Sequence, residues 1–187
     1  MAFHRSLFQR RVCCFLCFFF SLLLGSCGTK QEPAPKLDYA KGAVTVQYQA
    51  DKQLNFSDQQ PHALLLVLYQ LSDVNVFNSF VGYREGLVKL LQATSFDSSV
   101  TAVHKKYIEP GSSGRMIFDR AGQTQHLGIV AGYYDLIPEK SSHLTALTFD
   151  TSRHGWLLTK STTVNPLHLN LVLGKDGMRL VEDNDDT

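Results

Sequence analysis

Hydrophobic and polar residues alternate in two separated stretches of the chain. In Val44–Gln49, two valines and a tyrosine alternate with a threonine and two glutamines. Leu167–Leu173 alternates in the same way and is followed by the turn residues Gly174–Gly177 and by Met178–Val181. Successive side chains of a strand point to opposite faces, so this period predicts strands with one solvated face. The second stretch is typical of a closing hairpin.

Two other patterns lie between these stretches. His62–Leu71 is apolar on both faces and follows Pro61, which predicts a central strand buried on both sides and leaves a buried helix as the alternative. The apolar spacing then changes to steps of three and four residues. This spacing predicts a helical insert over about 73–92, a short turn followed by a helix near Tyr83–Gln92. The residues with this spacing are Phe77, Phe80, Tyr83, Leu87, Leu90 and Leu91.

The rest of the chain consists of short apolar segments bounded by turn residues, which predict further strands. A loop is predicted at Pro138–Ser142 and a turn at Thr151–Gly155, followed by an apolar piece that begins at Trp156. Gly128 and Gly132 indicate a bulge or a close neighbour on one face of their strand. About seven or eight short strands predict a mainly β fold, a two-sheet β-sandwich over 43–182 with a helical insertion after the second strand. The further strands are predicted at Val100–Ile108, Arg115–Phe118, Gln125–Tyr134 and Leu144–Phe149.

The first residues have the pattern of an export signal. Arginines precede the apolar run Val12–Leu24, which is shorter than the roughly 20 residues that a membrane-spanning helix needs. The run ends in Leu24-Gly25-Ser26-Cys27, which resembles the bacterial lipobox. The resemblance implies a signal peptide over 1–26, cleavage between Ser26 and Cys27, and a covalent lipid on Cys27. A plain signal peptide and a short uncut anchor remain the alternatives.

The residues after the cysteine are typical of a tether. Residues 27–42 contain two prolines and mixed charges, which predicts a flexible linker between the lipid and the sandwich. Gly28, rather than aspartate, follows the cysteine, and by the lipoprotein resemblance this favours the outer membrane. The acidic residues 183–187 are predicted to be disordered.

Composition narrows the classes of function. Residues 1–26 hold three of the 18 basic residues and none of the 17 acidic ones, so the mature chain is slightly acidic and nucleic acid is not an expected partner. Three of the four cysteines lie in the same segment, and the fourth is Cys27. The mature domain is therefore expected to contain no disulfide and no thiol nucleophile.

The sequence carries no pattern of a catalytic or metal centre. The histidines lack the spacing that places two imidazoles on one metal, and there is no nucleophile elbow or phosphate loop. His168 alternates with leucines and is predicted to lie on the solvated face of its strand. We therefore expect a protein that is not an enzyme and needs no cofactor other than the lipid on Cys27.

The order of several motifs resembles the TssJ outer-membrane lipoproteins of the type VI secretion system. No single motif is specific, but the ordered set covers nearly the whole mature chain. The chain departs from the family pattern at residues 137–156, where Trp156 arrives late and an insertion is indicated. The motifs are Leu68-Tyr69-Gln70-Leu71, then Phe77 and Phe80, then Pro110-Gly111, and finally Leu127-Gly-Ile-Val-Ala131 with Tyr133, Tyr134 and Asp135.

The resemblance implies a transthyretin-like β-sandwich anchored in the inner leaflet of the outer membrane. It further implies binding to the periplasmic carboxy-terminal domain of TssM within the TssJ–TssL–TssM membrane complex. In the family, the loop between the first two strands makes much of this contact. Leu54 and Phe56 are either interface anchors or side chains that fold back onto the sandwich. The matching loop residues are Lys52, Gln53, Leu54, Asn55, Phe56, Ser57, Asp58, Gln59 and Gln60.

Two other functions remain open at this stage. A periplasmic lipoprotein of this size could bind a small ligand or another envelope component. The strand face with Gly128 and Gly132, next to Tyr133 and Tyr134, is the candidate groove for such a ligand. A hydrolase without a recognisable motif is the third interpretation.

Overall fold

A computed structural model describes residues 37–154 and 159–181. These residues form ten strands and three short helices. The elements in chain order are β1 Ala40–Ala50, β2 Leu64–Leu71, α1 Asn75–Val81, α2 Arg84–Gln92, β3 Val100–Ile108, β4 Ser113–Arg120, β5 His126–Ala131, α3 Pro138–Ser141, β6 Ser142–Ala146, β7 Phe149–His154, β8 Thr159–Val164, β9 Leu167–Leu173 and β10 Met178–Val181.

Eight of the strands form two four-stranded sheets. The first sheet has the order β10-β9-β1-β4 and the second has the order β3-β2-β5-β6, while β7 and β8 pair as a separate two-stranded sheet. In the first sheet, β1 runs antiparallel to β4 and parallel to β9, so that Val46 lies opposite both Met116 and Leu169. The prediction of a mainly β, two-sheet sandwich is confirmed.

The alternation in β1 places its apolar residues in the core between the sheets. Val44 and Val46 are at most 1% exposed, whereas Gln47 and Gln49 are exposed. The strand begins at Ala40, and Leu37 is already buried. The ordered domain therefore starts earlier than residue 43, and the end of the predicted tether over 27–42 belongs to the sandwich.

The second strand is buried on both faces because it separates two apolar layers. Leu64, Leu66 and Leu68 face the core between the sheets, while Val67 and Tyr69 face the helices. A strand between two such layers cannot show an alternating pattern, since water reaches neither face. The predicted central strand is confirmed, and the alternative of a buried helix is wrong.

The predicted helical insert is also confirmed, as two short helices that cover the second sheet. Phe77 of α1 and Leu87 and Leu90 of α2 are fully buried against that sheet. The Tyr69 hydroxyl lies at the end of α2, where it donates to the carbonyl groups of Leu90 and of Ala93, the latter at 3.1 Å. Carbonyl groups in the last turn of a helix lack partners within the helix, so this contact ties α2 to β2.

A buried amide fastens the same end of β2 through the residue that follows Tyr69. Gln70 is fully buried; its Nε2 donates to the Asp119 carbonyl at 2.8 Å, and its Oε1 accepts from the Ala121 amide at 2.8 Å. The Thr124 hydroxyl donates to the same Oε1 at 3.1 Å. The network joins the two sheets through the connection between β4 and β5, and it satisfies a polar group that would otherwise be costly to bury.

Gly128 of β5 and Gly132, just after that strand, mark close neighbours rather than a bulge. Pairing on both sides of Gly128 is uninterrupted. A Cβ on Gly128 would come within 2.6 Å of the Phe77 ring, and one on Gly132 within 3.3 Å of the Leu91 side chain. The helices therefore cover this face of β5, and the groove proposed there for a small ligand is filled.

Two predictions for the segment between β5 and β9 are wrong, although β6 overlaps the strand predicted at Leu144–Phe149. Pro138–Ser141 is a short helix rather than a loop, with proline at the helix start, where its fixed φ is favourable and no amide is needed. Residues 151–154 belong to β7 rather than to a turn, because they pair with β8, Thr151 opposite Thr162. Gly155 and Trp156 lie outside the described residues. No helix in the described ranges is long and apolar enough to cross a membrane.

The closing hairpin of β9 and β10 agrees with its prediction. Met178 lies opposite Leu173 across the turn, and the Gly174 amide donates to the Gly177 carbonyl at 2.8 Å. His168 is exposed on β9, as predicted from its alternation with leucines. The predicted acidic tail at 183–187 lies outside the described residues.

Candidate partner-binding loop

The loop between β1 and β2 is held in place from its first residue. The Asp51 amide donates to the Leu173 carbonyl at 2.8 Å, and the Asp51 carbonyl accepts from the amides of Leu54 at 3.0 Å and Gly111 at 2.9 Å. The Asp51 carboxylate accepts from the Gln53 amide at 2.7 Å. The loop is thus joined to both the β9–β10 turn and the β3–β4 turn, and its polar sequence folds as an ordered turn.

Leu54 folds back into the sandwich. It is fully buried and belongs to the core between the sheets, together with Val46 and Leu66. The structure therefore supports the interpretation in which Leu54 folds back onto the sandwich, and not the one in which it is an exposed interface anchor. Leu54 fixes the loop from beneath.

Asn55 occupies a backbone conformation that few residue types tolerate. Its φ is +47°, in the left-handed region where asparagine is several-fold enriched, and its side chain is 6% exposed. The side-chain Nδ2 donates to the Ala63 carbonyl at 3.3 Å, and Oδ1 accepts from the Tyr134 amide at 2.6 Å. One buried amide thus holds the end of the loop and a segment from a different part of the chain.

Phe56 lies against the β9–β10 turn and is partly exposed. Its amide donates to the Lys175 carbonyl at 3.0 Å, and the Lys175 ammonium lies 4.5 Å from the centre of its ring. A cation at this distance is attracted by the face of an aromatic ring. Phe56 therefore keeps one side in contact with the domain and one side in solvent.

The exposed part of the loop is polar. Beyond Phe56, the Ser57 and Gln60 amides each donate to the other residue's carbonyl, at 3.0 and 2.9 Å. Asp58 and Gln59 form the tip between them, with φ values of +49° and +65°. The exposed loop residues are Lys52, Gln53, Asp58, Gln59 and Gln60.

Neighbouring segments place charged residues and an aromatic residue near the loop. Lys140 of α3 pairs with Asp176 at 2.5 Å, and the hydrogen bond from this ammonium lowers the pKa of the carboxyl. Tyr133 is 4% exposed, and burial raises the pKa of its hydroxyl, whereas Tyr134 beside it is 66% exposed. Sequence reasoning missed these neighbours of the loop, because Asn55 and Tyr134 are 79 residues apart.

Two other kinds of site find no support in the described part of the chain. No group of three or more histidine, cysteine, aspartate or glutamate side chains there is arranged to hold a metal ion. A groove of about 780 Å³ crosses the outer face of the first sheet and is lined in part by Gln47, Gln49 and Arg115. The groove lies open on the sheet and is lined by polar and apolar residues alike, whereas small-molecule sites are concave and mostly apolar.

The fold and the loop together define a class: a β-sandwich with a covering pair of helices and a hydrogen-bonded loop, exposed at its tip, between the first two strands. Residues 42–168, more than half of the chain, match the family model described as "T6SS-SciN: Type VI secretion lipoprotein, VasD, EvfM, TssJ, VC_A0113". The chain belongs to this family of type VI secretion lipoproteins. It is thus a membrane-bound component of that system. Members of this family are structural lipoproteins and not enzymes. The prediction that the protein is not an enzyme is therefore confirmed.

Solved structures share the fold. Serratia marcescens Lip, a membrane bound component of the type VI secretion system, aligns with a TM-score of 0.60 and 18% identity over 77% of this chain and 98% of its own. TssJ1 from Pseudomonas aeruginosa, a T6SS lipoprotein, aligns with a TM-score of 0.55 and 22% identity over 78% and 95%. A chain in the structure described as the T6SS protein TssM C-terminal domain from EAEC aligns with a TM-score of 0.53 and 15% identity over 74% and 97%. No curated protein sequence matches.

Proposed function

We propose that this lipoprotein is anchored through Cys27 in the outer membrane and binds the periplasmic C-terminal domain of TssM through the loop Lys52–Gln60. It would thereby join the TssJ–TssL–TssM membrane complex from the periplasmic side. The observation that carries the proposal is the loop itself. Its buried residues Leu54 and Asn55 hold five exposed polar residues in one conformation. A preformed loop loses little conformational entropy when it binds.

The likeness to a chain in the structure of the TssM C-terminal domain supports the same partner. Of the two interpretations of Leu54, the proposal adopts the folded-back side chain: Leu54 supports the loop from the core, and its polar neighbours make the contact. Phe56, which is partly exposed, is the apolar side chain that remains available to the partner.

The lipid anchor belongs to the proposal as well. Residues 1–26 would be removed and Cys27 lipidated; Ser26 and Cys27 lie outside the described residues. Several acyl chains are needed for firm attachment, because a single chain binds membranes only marginally. Gly28 favours the outer membrane. Attachment to one membrane and binding to a protein of the other would confine both partners to the periplasm, which raises their effective concentration.

The loop is tested best by substitution, since its shortening would remove Leu54 from the core. In the triple variant Lys52→Ala, Gln53→Ala, Gln60→Ala, only exposed side chains are truncated. We expect its affinity for the purified TssM periplasmic domain to fall at least about tenfold, which corresponds to about 1.4 kcal/mol. The measurement is calorimetric titration, with thermal unfolding to show that the fold is intact.

A matched control lies on the outer face of the first sheet. The triple variant Arg115→Ala, Gln47→Ala, Gln49→Ala truncates the same number of basic and amide side chains, all of them exposed. It should bind within about twofold of the wild type, since exposed side chains outside the contact contribute little. Wild-type protein that does not bind, or a loop variant that binds as tightly as the control, would refute the proposed contact.

The anchor is tested by mass spectrometry and fractionation of cells. The mature protein should begin at Cys27 and carry a mass increase that corresponds to the lipid, and it should sediment with the outer membrane. Cys27→Ser should release a folded protein from the membrane. A mature protein with an unmodified cysteine, or a Cys27→Ser variant that stays with the membrane, would exclude lipid anchoring at this position.

A further inference from the structure

We infer that Tyr134 forms part of the partner-binding surface, as an aromatic contact adjoining the loop Lys52–Gln60. The inference rests on the proposed function, because it extends the same contact to a second segment of the chain. Tyr134 lies between β5 and α3, outside the loop.

The backbone of Tyr134 is fixed although its side chain projects into solvent. Tyr133 before it and Leu136 two residues after it are 4% and 8% exposed, whereas Tyr134 is 66% exposed. The Tyr133 amide donates to the Ala131 carbonyl at 3.0 Å, and the Ile137 amide donates to the Asp135 carbonyl at 3.1 Å. The segment therefore holds a large aromatic side chain outward in a defined place.

Asn55 makes this segment continuous with the loop. Its Oδ1 accepts from the Tyr134 amide at 2.6 Å, and the same side chain donates to the Ala63 carbonyl at the end of the loop. Because this amide is buried, the link between loop and segment is shielded from competing water. A partner that covers the loop next to Asn55 is thus brought beside Tyr134.

The surroundings of Tyr134 have the composition of a protein interface. Arg84 and Asp135 lie 3.7 Å apart with side chains that are 54% and 77% exposed, and the pair of Lys140 and Asp176 links α3 to the turn that carries Lys175. Aromatic residues that carry binding energy are typically surrounded by polar residues that remain near solvent. The fitting partner is therefore a protein surface with an apolar patch ringed by polar groups, on the same TssM domain.

The test compares two exposed tyrosines. Tyr134→Ala should weaken binding to the purified TssM periplasmic domain at least about fivefold without lowering the unfolding temperature, because the ring contacts the partner and not the core. Tyr134→Phe should stay within about twofold of the wild type, since it keeps the ring. The control is Tyr39→Ala, a tyrosine 61% exposed at the opposite end of β1, which should bind as the wild type does.

The outcomes separate this inference from the proposed function. If the wild type binds and the loop triple variant is impaired, but Tyr134→Ala binds as tightly as Tyr39→Ala, then Tyr134 lies outside the contact and the inference is wrong. If the wild type does not bind at all, the proposed partner is wrong, and the inference falls with it. Selective loss of affinity in Tyr134→Ala supports the extended surface.

Discussion

The ring of Phe77 lies directly over Gly128, so close that a Cβ at Gly128 would meet the ring Cζ at 2.6 Å. This contact joins α1 to β5 and fixes the helical cover on the second sheet. We expect Gly128→Ala to lower the free energy of unfolding by about 1–3 kcal/mol, because the ring must move within a packed layer. Urea unfolding measures the difference.

Two further variants show whether the loss comes from that contact. Gly82→Ala introduces the same methyl group where no atom lies within 4 Å, and it should leave stability nearly unchanged. Phe77→Leu, combined with Gly128→Ala, should recover part of the loss relative to the sum of the single variants. Strict additivity of the two substitutions would contradict the proposed cause.

The hydroxyl of Tyr69 stabilises the end of α2. Burial raises the pKa of this hydroxyl to about 12, so it remains a donor at all physiological pH values. Tyr69→Phe keeps the ring and leaves the Leu90 carbonyl without this donor, and we expect a loss of about 1–2 kcal/mol by urea unfolding. Tyr83→Phe, at a residue 43% exposed, is the matched control and should be neutral. Equal stabilities of the two variants would exclude a stabilising role for the hydroxyl.

The buried amide of Gln70 should be difficult to replace with an apolar side chain of similar length. Gln70→Met would leave the Ala121 amide and the Asp119 carbonyl without their partner in the core. A loss of about 2–4 kcal/mol is expected, since an unsatisfied buried group costs about 1–3 kcal/mol. The exposed Gln49→Met is the control. Thermal unfolding measures the stability of both variants. A Gln70→Met protein as stable as its control would show that the hydrogen bonds of Gln70 do not stabilise the fold.

The histidines half-buried in the second sheet should make stability depend on pH. Burial lowers the pKa of His104, His126 and His143 below the ordinary histidine value of about 6.5, while nearby Asp119 and Asp73 partly oppose this for the first two. The unfolded chain then binds more protons than the native one as pH falls below about 6.5. Stability should therefore be complete above that value and decline as pH falls towards the folded pKa values.

His104 is the histidine to replace first. Its ring stacks on Phe118 with centroids 4.1 Å apart, and its Nε2 lies 3.3 Å from Gln70 Nε2, a donor. That contact is a hydrogen bond only when His104 Nε2 carries no proton. We expect His104→Gln to reduce the slope of unfolding free energy against pH between 7.5 and 5.5. A slope identical to that of the wild type would show that another group causes the dependence.

The local spacing of apolar residues predicted most strands, because that spacing shows which faces of a strand are buried. The apolar residues of β1 alternate because one face of this strand lies in a buried layer. The run in β2 is apolar on both faces because each face lies in a buried layer. The helical spacing around Phe77 likewise indicated which side faces the sheet. Polar residues 151–154 form a strand because of their pairing with β8, which the local composition does not reveal.

The candidate loop was placed correctly between β1 and β2, but its internal arrangement depends on distant residues. Leu54 was equally compatible with an exposed anchor, and only its position over the core decides the matter. The contact between Asn55 and Tyr134 spans 79 residues, and Lys175 reaches Phe56 from the other end of the chain. No spacing in a single sequence encodes such contacts.

The length of β1 gives the molecule a polarity. The described chain enters at Leu37, and the strand from Ala40 to Ala50 then runs about 33 Å before the loop begins. Asn55 lies in the loop that follows the end of this strand, and its side chain accepts a hydrogen bond from the Tyr134 amide. A partner bound at Asn55 and Tyr134 would thus contact the sandwich a full strand length away from the point where the described chain begins.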